Sequence, residues 1–567
     1  MLLSNFNLLA TAPGGVARLR ELILTLAVQG KLEPQDPGDE PASVLLKKIR
    51  VEKDQLIAEG KIKREKDEPA LTDDDPPFGL PETWTWVALG EVIDIIRGIT
   101  FPATQKTREP APGRIACLRT TNVQQTIEWD DLLFVDRSFM GRENQLIQHH
   151  DIVMSMANSR ELVGKVALIE HIPHPESTFG GFLGVLRPRK IDPRYAMAVL
   201  RTPYARLMLI DSSSQTTNIA NVSLTKLRPL PFPLPPSAEQ SRIVNRVEEL
   251  MRVCDALEVK GKLEAAQHAQ LVSTLLGTLA DSDTPEALAE NWQRIATHFD
   301  LLLDRPQAID AFEQTILQLA VHGLLVPQDP SDEPASVLLK NILEEKDRLI
   351  AEGKIRRDKP LAAITDEEKP FGLPVGWVWV RLNQIADSRL GKMLDKAKNS
   401  GKRYPYLRNT NVQWRHIGLE DIKEISLEPT ELDEFRLASG DLLICEGGYP
   451  GRCAIWNEPD REMYFQKALH RVRPRGGILA ELLAISLESD SKSGNLDKHF
   501  TGATIKHFVG QALDRYMIPL PPLAEQSRIV TRVEELRRLC ADLRQRLAAR
   551  QTTQAHLAEA LVESVAA

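Results

Sequence analysis

The chain is written twice. Residues 41–47, Pro-Ala-Ser-Val-Leu-Leu-Lys, return at 334–340, and Phe78-Gly79-Leu80-Pro81 returns as Phe371-Gly372-Leu373-Pro374, both displaced by 293 positions. A third block, Leu234-Pro235-Pro236 with Ala238-Glu239-Gln240-Ser241-Arg242-Ile243-Val244, recurs at 520–530, displaced by 286. Between the matching blocks lie two stretches, about 87–230 and 380–516, that share only scattered positions such as Leu118-Arg119 and Leu407-Arg408. One frame carrying two divergent inserts points to one mechanical task and two different things to recognise.

A chain of 567 residues exceeds a single core, and at about 150 residues per domain it divides into three or four units. No apolar run reaches the roughly 18 residues of a membrane span, and Met1 to Gly15 lacks a basic segment ahead of its apolar residues. A soluble, unexported, cytoplasmic protein is expected. The five cysteines show no Cys-x-x-Cys spacing, which argues against a zinc ribbon or a disulfide framework. The net charge of −8 conceals its distribution: residues 85–235 hold 17 Lys and Arg against 14 Asp and Glu, and 378–520 hold 21 against 19. The small basic excess of the divergent stretches is weak evidence for a nucleic-acid partner, and on charge alone a mixed solvated surface is the better account.

Residues 18–29 read as a helix stopped by Gly30, and a second helix is expected to begin near Asp39, with Pro41 in its first turn and Gly60 just past its end; the same signals recur at Asp332, Pro334 and Gly353. Trp84 and Trp86, matched by Trp377 and Trp379, are expected to anchor the first strand of each divergent domain. Within those domains, 152–154, 166–169 and 442–445 have strand length, and helices are expected near 193–210 and 478–488. Behind each domain a helix carries Ile243, Val247, Leu250, Cys254 and Leu257, or Ile529, Val533, Leu536, Cys540, Leu543 and Leu547, at alternating spacings of 4 and 3. That is a coiled-coil seam, in which Cys254 and Cys540 act as small core residues. Ser237 and Gln240 are placed for a capping box. A helix from Ser237 to about Leu275 spans ~60 Å unless Gly261 interrupts it, enough to hold two DNA-reading domains about 34 Å apart on one face of a duplex.

Catalytic patterns are missing. Asp75-Pro76-Pro77-Phe78 has the form of a loop that grips a flipped adenine, but its second copy reads Glu368-Lys369-Pro370-Phe371 and no glycine-rich cofactor turn precedes it. Neither Gly164-Lys165 nor Gly391-Lys392 is followed by Ser or Thr, so neither is a phosphate loop. Asp460, Glu462 and Lys467 have the wrong spacing for a nuclease, and His149-His150 has no ligand partners in the sequence.

The Leu-Pro-Pro-x-Ala-Glu-Gln-x-x-Ile-Val blocks, with Ala-Val-Gln-Gly-Lys-Leu at 27–32 and Gly-Leu-Pro-x-x-Trp-x-Trp-Val at 79–87 and 372–380, resemble the specificity subunits of type I restriction-modification systems over essentially the whole chain. The resemblance implies an α/β (α+β) fold: two mixed α/β target recognition domains separated by antiparallel coiled-coil helices, in an internal duplication with pseudo-twofold symmetry. The expected boundaries are a helical region over 1–83, a first recognition domain over 84–236, a central spacer and linker over 237–376, a second recognition domain over 377–522 and a C-terminal helix over 523–567. The segment from about 278 to 308 has no counterpart and is expected to form a loop or an extra helix pair. By the same resemblance each recognition domain reads one half of a bipartite, asymmetric double-stranded DNA target, and the helices dock two methyltransferase subunits. Two motor-nuclease subunits join for restriction. This chain is then non-catalytic and binds no cofactor, S-adenosylmethionine, ATP and magnesium being used by its partners.

Side chains able to pair with base edges or phosphates cluster at Arg119, Thr121, Asn122 and Gln124, at Asn158 and Arg160, and at Gln215, Thr217 and Asn218 in the first domain. Their positional partners in the second are Arg408, Asn409, Asn411 and Gln413, then Tyr449 and Arg452, then Thr504, Lys506 and His507. Such polar clusters also simply make turns. Because Leu-Arg-x-Thr-Asn-Val-Gln is common to both domains, it is expected to position backbone or phosphate, and single-copy residues such as Gln215 and Asn218 to choose bases. Two rivals differ in what they require. An enzyme acting alone would bind S-adenosylmethionine or show metal-dependent cleavage, and a tandem protein-binding adaptor would show no salt-sensitive DNA binding.

The first block corresponds to the block that follows the central coiled coil in the second copy, so the N-terminal helices are expected to complete the C-terminal ones in a ring-like arrangement. Deleting residues 1–60 should then accelerate amide exchange in the C-terminal helix; equal exchange in full-length and truncated chains would refute the closure.

Overall fold

The computed structural model describes residues 9–60, 76–159, 162–211, 214–216, 219–282, 284–355, 361–394 and 401–566. It divides into two compact units, Met1–Leu263 with Gln551–Ala567, and Glu264–Arg550. The two units share one frame of helices, ribbon and four-stranded sheet in the same order.

In the first unit, helices Gly15–Val28 and Ala42–Ala58 form a hairpin. Gly30 turns the chain between them with a φ of 69°, and a Cβ there would lie 2.5 Å from Pro81 and 3.2 Å from the Trp84 ring. Conformation and space both demand glycine. Trp84 is buried, and its indole Nε1 donates to Glu239 Oε2 at 2.8 Å, while Gln35 Nε2 donates to Glu239 Oε1 at 2.6 Å. Three duplicated blocks that are far apart in sequence thus meet at one buried carboxylate. Burial drives the Glu239 carboxyl above the ordinary range, and the Trp84 and Gln35 donors only partly oppose this. Asp39 closes the same junction through Arg242 Nη2 at 2.5 Å. The second unit repeats every contact: Gly323 against Pro374 and Trp377, Trp377 Nε1 and Gln328 Nε2 to Glu525 at 3.0 and 2.7 Å, and Arg528 to Asp332 at 2.6 Å.

The divergent stretch of each unit is mixed α/β, and its two ends are tied together. Strand Thr85–Ala88 pairs antiparallel with Pro231–Leu234, and Val378–Arg381 with Met517–Leu520, so the chain enters and leaves each domain along one ribbon. Behind the ribbon lies a four-stranded antiparallel sheet, ordered Ile93–Arg97, Leu183–Pro188, Ile152–Ser155, Val166–Leu168 in the first unit. Its counterpart runs Ala386–Leu390, Leu469–Pro474, Asp441–Cys445, Cys453–Trp456. Successive residues of a strand face opposite sides. Ile152 and Met154 join the core that reaches the helices while Val153 joins a second core; Leu442 and Ile444 divide from Leu443 and Cys445 in the same way. The central strand is therefore an unbroken apolar run, as its sequence suggested. An acid at its head is buried against one arginine: Asp151 with Arg187, and Asp441 with Arg473.

The coiled-coil seams lie on two 44-residue helices, Ser237–Ala280 and Leu523–Ala566. Ile243, Val247 and Cys254 are buried in the first, and Ile529, Val533, Leu536 and Cys540 in the second. Burial pushes the Cys540 thiol to about 11, which suits a core residue. Two expectations are corrected. Gly261 does not interrupt the helix, having no packing demand of its own. Gln240 forms no capping box with Ser237: its Oε1 accepts from Asp192 N–H at 2.8 Å and its Nε2 donates to Pro235 O at 3.1 Å, tying the divergent domain to the helix, and Gln526 does the same for Leu479 and Pro521. The segment without a counterpart forms helix Pro285–Thr297 and a short turn, Phe299–Leu302. Among the described residues no helix is long and apolar enough to cross a membrane.

Each long helix contributes to both units. Val272, Leu276 and Leu279 belong to the core of the second unit, whereas Ala558 is buried in the core of the first. Arg18 Nη1 donates to Ala555 O at 2.7 Å, so the N-terminal hairpin does meet the end of the C-terminal helix. Trp84→Phe keeps most of the ring's packing but removes a donor from a buried carboxylate, and should lower the stability of the first unit by about 2 kcal/mol; urea unfolding beside Trp377→Phe, which should report on the second unit, measures it.

Candidate nucleic-acid interface

In each unit, those polar residues singled out above that the structure describes lie on loops and short strands. In the first, the short turn Thr120–Asn122 follows strand Arg114–Leu118. Asn122 is 2% exposed, its Oδ1 accepts from Arg119 N–H, and its Nδ2 donates to the carbonyls of Glu128 and Asp130. In the second unit Asn411 is 5% exposed and binds Arg408 N–H and the carbonyls of Gly418 and Asp421. Both amides are fully used inside the protein. The expectation that Asn122 and Asn411 face a ligand is therefore corrected: burial makes them the braces of the loop.

The arginines beside them are also committed. Arg119 Nη2 lies 2.6 Å from Asp131, and Arg408 Nη2 lies 2.6 Å from Asp421. The arginine hydrogen bond holds each aspartate below the ordinary carboxylate range. What the loop leaves outward is Thr121, exposed, and the glutamine two positions past the buried asparagine.

Gln124 and Gln413 each bind a cation. Lys165 Nζ donates to Gln124 Oε1, and Arg452 Nη1 donates to Gln413 Oε1 at 3.0 Å. Each glutamine Nε2 is fixed in turn on the carbonyl of Thr121 or Thr410. The cations occupy matching places, each directly after a glycine of positive φ, Gly164 at 78° and Gly451 at 85°, where the chain turns into the edge strand of the sheet. A glutamine–cation pair at the end of the sheet is thus common to both domains. Lys165 is absent from the candidates read off the sequence; the signal available was the Gly-Lys and Gly-Arg match ahead of each strand.

Around this shared pair the domains differ. In the second, Arg452 Nη2 donates to Asn409 O at 2.9 Å and its guanidinium lies 4.6 Å from the Tyr449 ring. Asn409 Nδ2 donates to Gly447 O, Gly447 bridges to His507, and His507 Nδ1 lies 3.1 Å from Glu446 Oε2. Asn409, Gln413, Arg452 and His507 therefore form one connected edge. Tyr449 is 68% exposed, Thr504 and Lys506 are exposed beside it, and Lys506 pairs with Asp497 at 2.8 Å.

In the first domain Asn158 lies on a short strand with its Oδ1 accepting from Ser159 N–H, and Phe182 stands 68% exposed on the turn whose carbonyl takes Met156 N–H. The backbone of Gln215 lies in strand Ser214–Thr216 of the same three-stranded sheet as Asn158. Arg160, Thr217 and Asn218 lie outside the described residues. Among the described residues no group of His, Cys, Asp or Glu is placed to hold a metal ion.

A family model described as type I restriction modification DNA specificity domain matches residues 81–267 and 374–550. The chain is 35% identical to the type I restriction enzyme EcoAI specificity subunit of Escherichia coli, over 97% of this chain and 94% of that protein. It is 34% identical to the EcoEI specificity subunit, also of Escherichia coli, over the same shares. The crystal structure of the HsdS subunit from Thermoanaerobacter tengcongensis aligns with 86% of this chain and 98% of its own, at 18% identity and a TM-score of 0.42. Matched by one family model in both divergent domains and spanning such relatives almost end to end, the chain belongs to the specificity-subunit family of type I restriction-modification systems.

Proposed function

We propose that this chain reads a bipartite, asymmetric sequence in double-stranded DNA, one half-site per divergent domain, and holds two methyltransferase and two motor-nuclease subunits on its helices in the cytoplasm. It performs no chemistry itself; S-adenosylmethionine, ATP and magnesium serve the partners. The observation that carries this reading is the glutamine–cation pair repeated at the end of both sheets within otherwise different surroundings. A cation on a fixed glutamine suits a phosphate, which every sequence offers, and carries no base information. The differing neighbours then choose bases. Asn158 and the 212–218 segment serve the first half-site; Asn409, Tyr449 and the 501–507 loop serve the second.

A base-resolution map of adenine methylation, made in cells expressing this chain with its methyltransferase subunit, tests the reading. A gapped two-part motif is expected, and exchanging residues 87–230 for another domain should change one half only. Asn218→Ala should likewise alter one half-site. No motif, with a methyltransferase proven active through another specificity subunit, would overturn the reading. In purified complexes, Lys165→Ala should weaken binding to all sequences about equally and make the salt dependence shallower by about one ion.

A further inference from the structure

The two units pair the same hairpin helix with the same long helix, but with the charges exchanged. By the displacements of the duplicated blocks, Arg20 corresponds to Glu313 and Glu258 to Arg544. In the first unit Arg20 Nη2 lies 2.6 Å from Asp255 and 3.4 Å from Glu258. In the second, Arg544 Nη2 lies 2.7 Å from Glu313 and 2.7 Å from Asp310.

The exchange extends into the recognition domains. Asp192 and Leu479 both donate their N–H to the glutamine of the duplicated block, which aligns the helices that follow them. Arg201 then corresponds to Glu488. Arg201 lines one cleft with Arg20 and donates to the carbonyls of Gln125 and Val166, whereas Glu488 is 2% exposed and lies 2.5 Å from Arg537 Nη2 and 3.1 Å from Lys492. Arg415, from the recognition domain, reaches Glu313 at 3.4 Å and Glu488 at 3.7 Å. In the first unit, then, the hairpin presents an arginine to acids on the long helix; in the second, hairpin and domain present glutamates to arginines.

The apolar seam cannot tell the halves apart, because Ile243, Val247 and Cys254 are matched by the identical Ile529, Val533 and Cys540. Discrimination between near-identical partners requires repulsion in the wrong pairing as well as attraction in the right one. We propose that this charge reversal keys each hairpin to the long helix of its own half, so that each interface admits its own partner and rejects the equivalent segment of the other half. An arginine in the place of Glu313 would meet Arg537, Arg544, Arg415 and Lys492 together. A glutamate in the place of Arg20 would meet Asp255 and Glu258.

Amide exchange of helix Gly15–Val28 in the full chain tests this. Arg20→Gln, which only removes attraction, should lower protection about threefold, as an exposed ion pair does. Arg20→Glu, which adds repulsion, should lower it about tenfold, and Arg20→Glu with Glu258→Arg should return it to within about threefold of the parent. In the second unit Glu313→Arg should lower the protection of helix Pro306–Val321 by about 100-fold or more, with little recovery from Arg544→Glu because Arg537, Arg415 and Lys492 remain. Equal losses for Arg20→Gln and Arg20→Glu, or no recovery in the double variant, would overturn the proposal.

Discussion

A carboxylate taken out of water is tolerable only where donors converge on it, and in this protein that requirement does the assembling. Glu239 stands at the start of a long helix, yet its two donors come from the turn between the N-terminal helices, Gln35, and from the residue that leads into the first strand of the recognition domain, Trp84. Each of the two segments supplies the donor for one oxygen of the carboxylate. The neighbouring Gln240 extends the same logic to the far side of the domain through Asp192. The duplicated Leu-Pro-Pro-x-Ala-Glu-Gln block is therefore a fastening between frame and insert, which is why it recurs with Glu525 and Gln526 where everything between has diverged.

Much of the frame was legible because it rests on local rules. Gly30 and Gly323 stop helices and bear positive φ, the seam repeats at 4 and 3, and the apolar runs at 152 and 442 have strand length. The central strand read as apolar throughout because both of its faces are covered. The site was less legible because it depends on contacts between distant positions. Gln124 and Lys165 meet across 41 positions, and a lysine after a glycine was weighed only as a phosphate loop. Asn122 and Asn411 sit in a shared polar cluster that reads as a contact to the DNA backbone, and only burial shows that they hold the loop. Gln240 was placed by spacing in a capping box, whereas the competing N–H of Asp192 takes its oxygen.

The arrangement separates what must stay from what can change. The ribbon that joins Thr85–Ala88 to Pro231–Leu234 brings both ends of a recognition domain to one place, so its interior can diverge without altering where it attaches. At the opposite end, one glutamine–cation pair persists and the loops beside it do not: a Gly-Gly-Tyr-Pro-Gly turn with Tyr449 in one domain, a Gly-Gly-Phe turn with Phe182 in the other. Glycine is required in the former, since a Cβ on Gly448 would lie 2.5 Å from Asn409 and one on Gly451 2.3 Å from Leu496.

The division of each long helix between the two units also sets an order of events at the ribosome. The second unit is encoded by one uninterrupted stretch, Glu264–Arg550, and can close as soon as that stretch has emerged. The first lacks its last helical turns until Gln551–Ala567 are made. Domains commonly fold in the order of their synthesis; here the half translated first is completed last, because the core that Ala558 joins lacks that residue until the end of the chain is built.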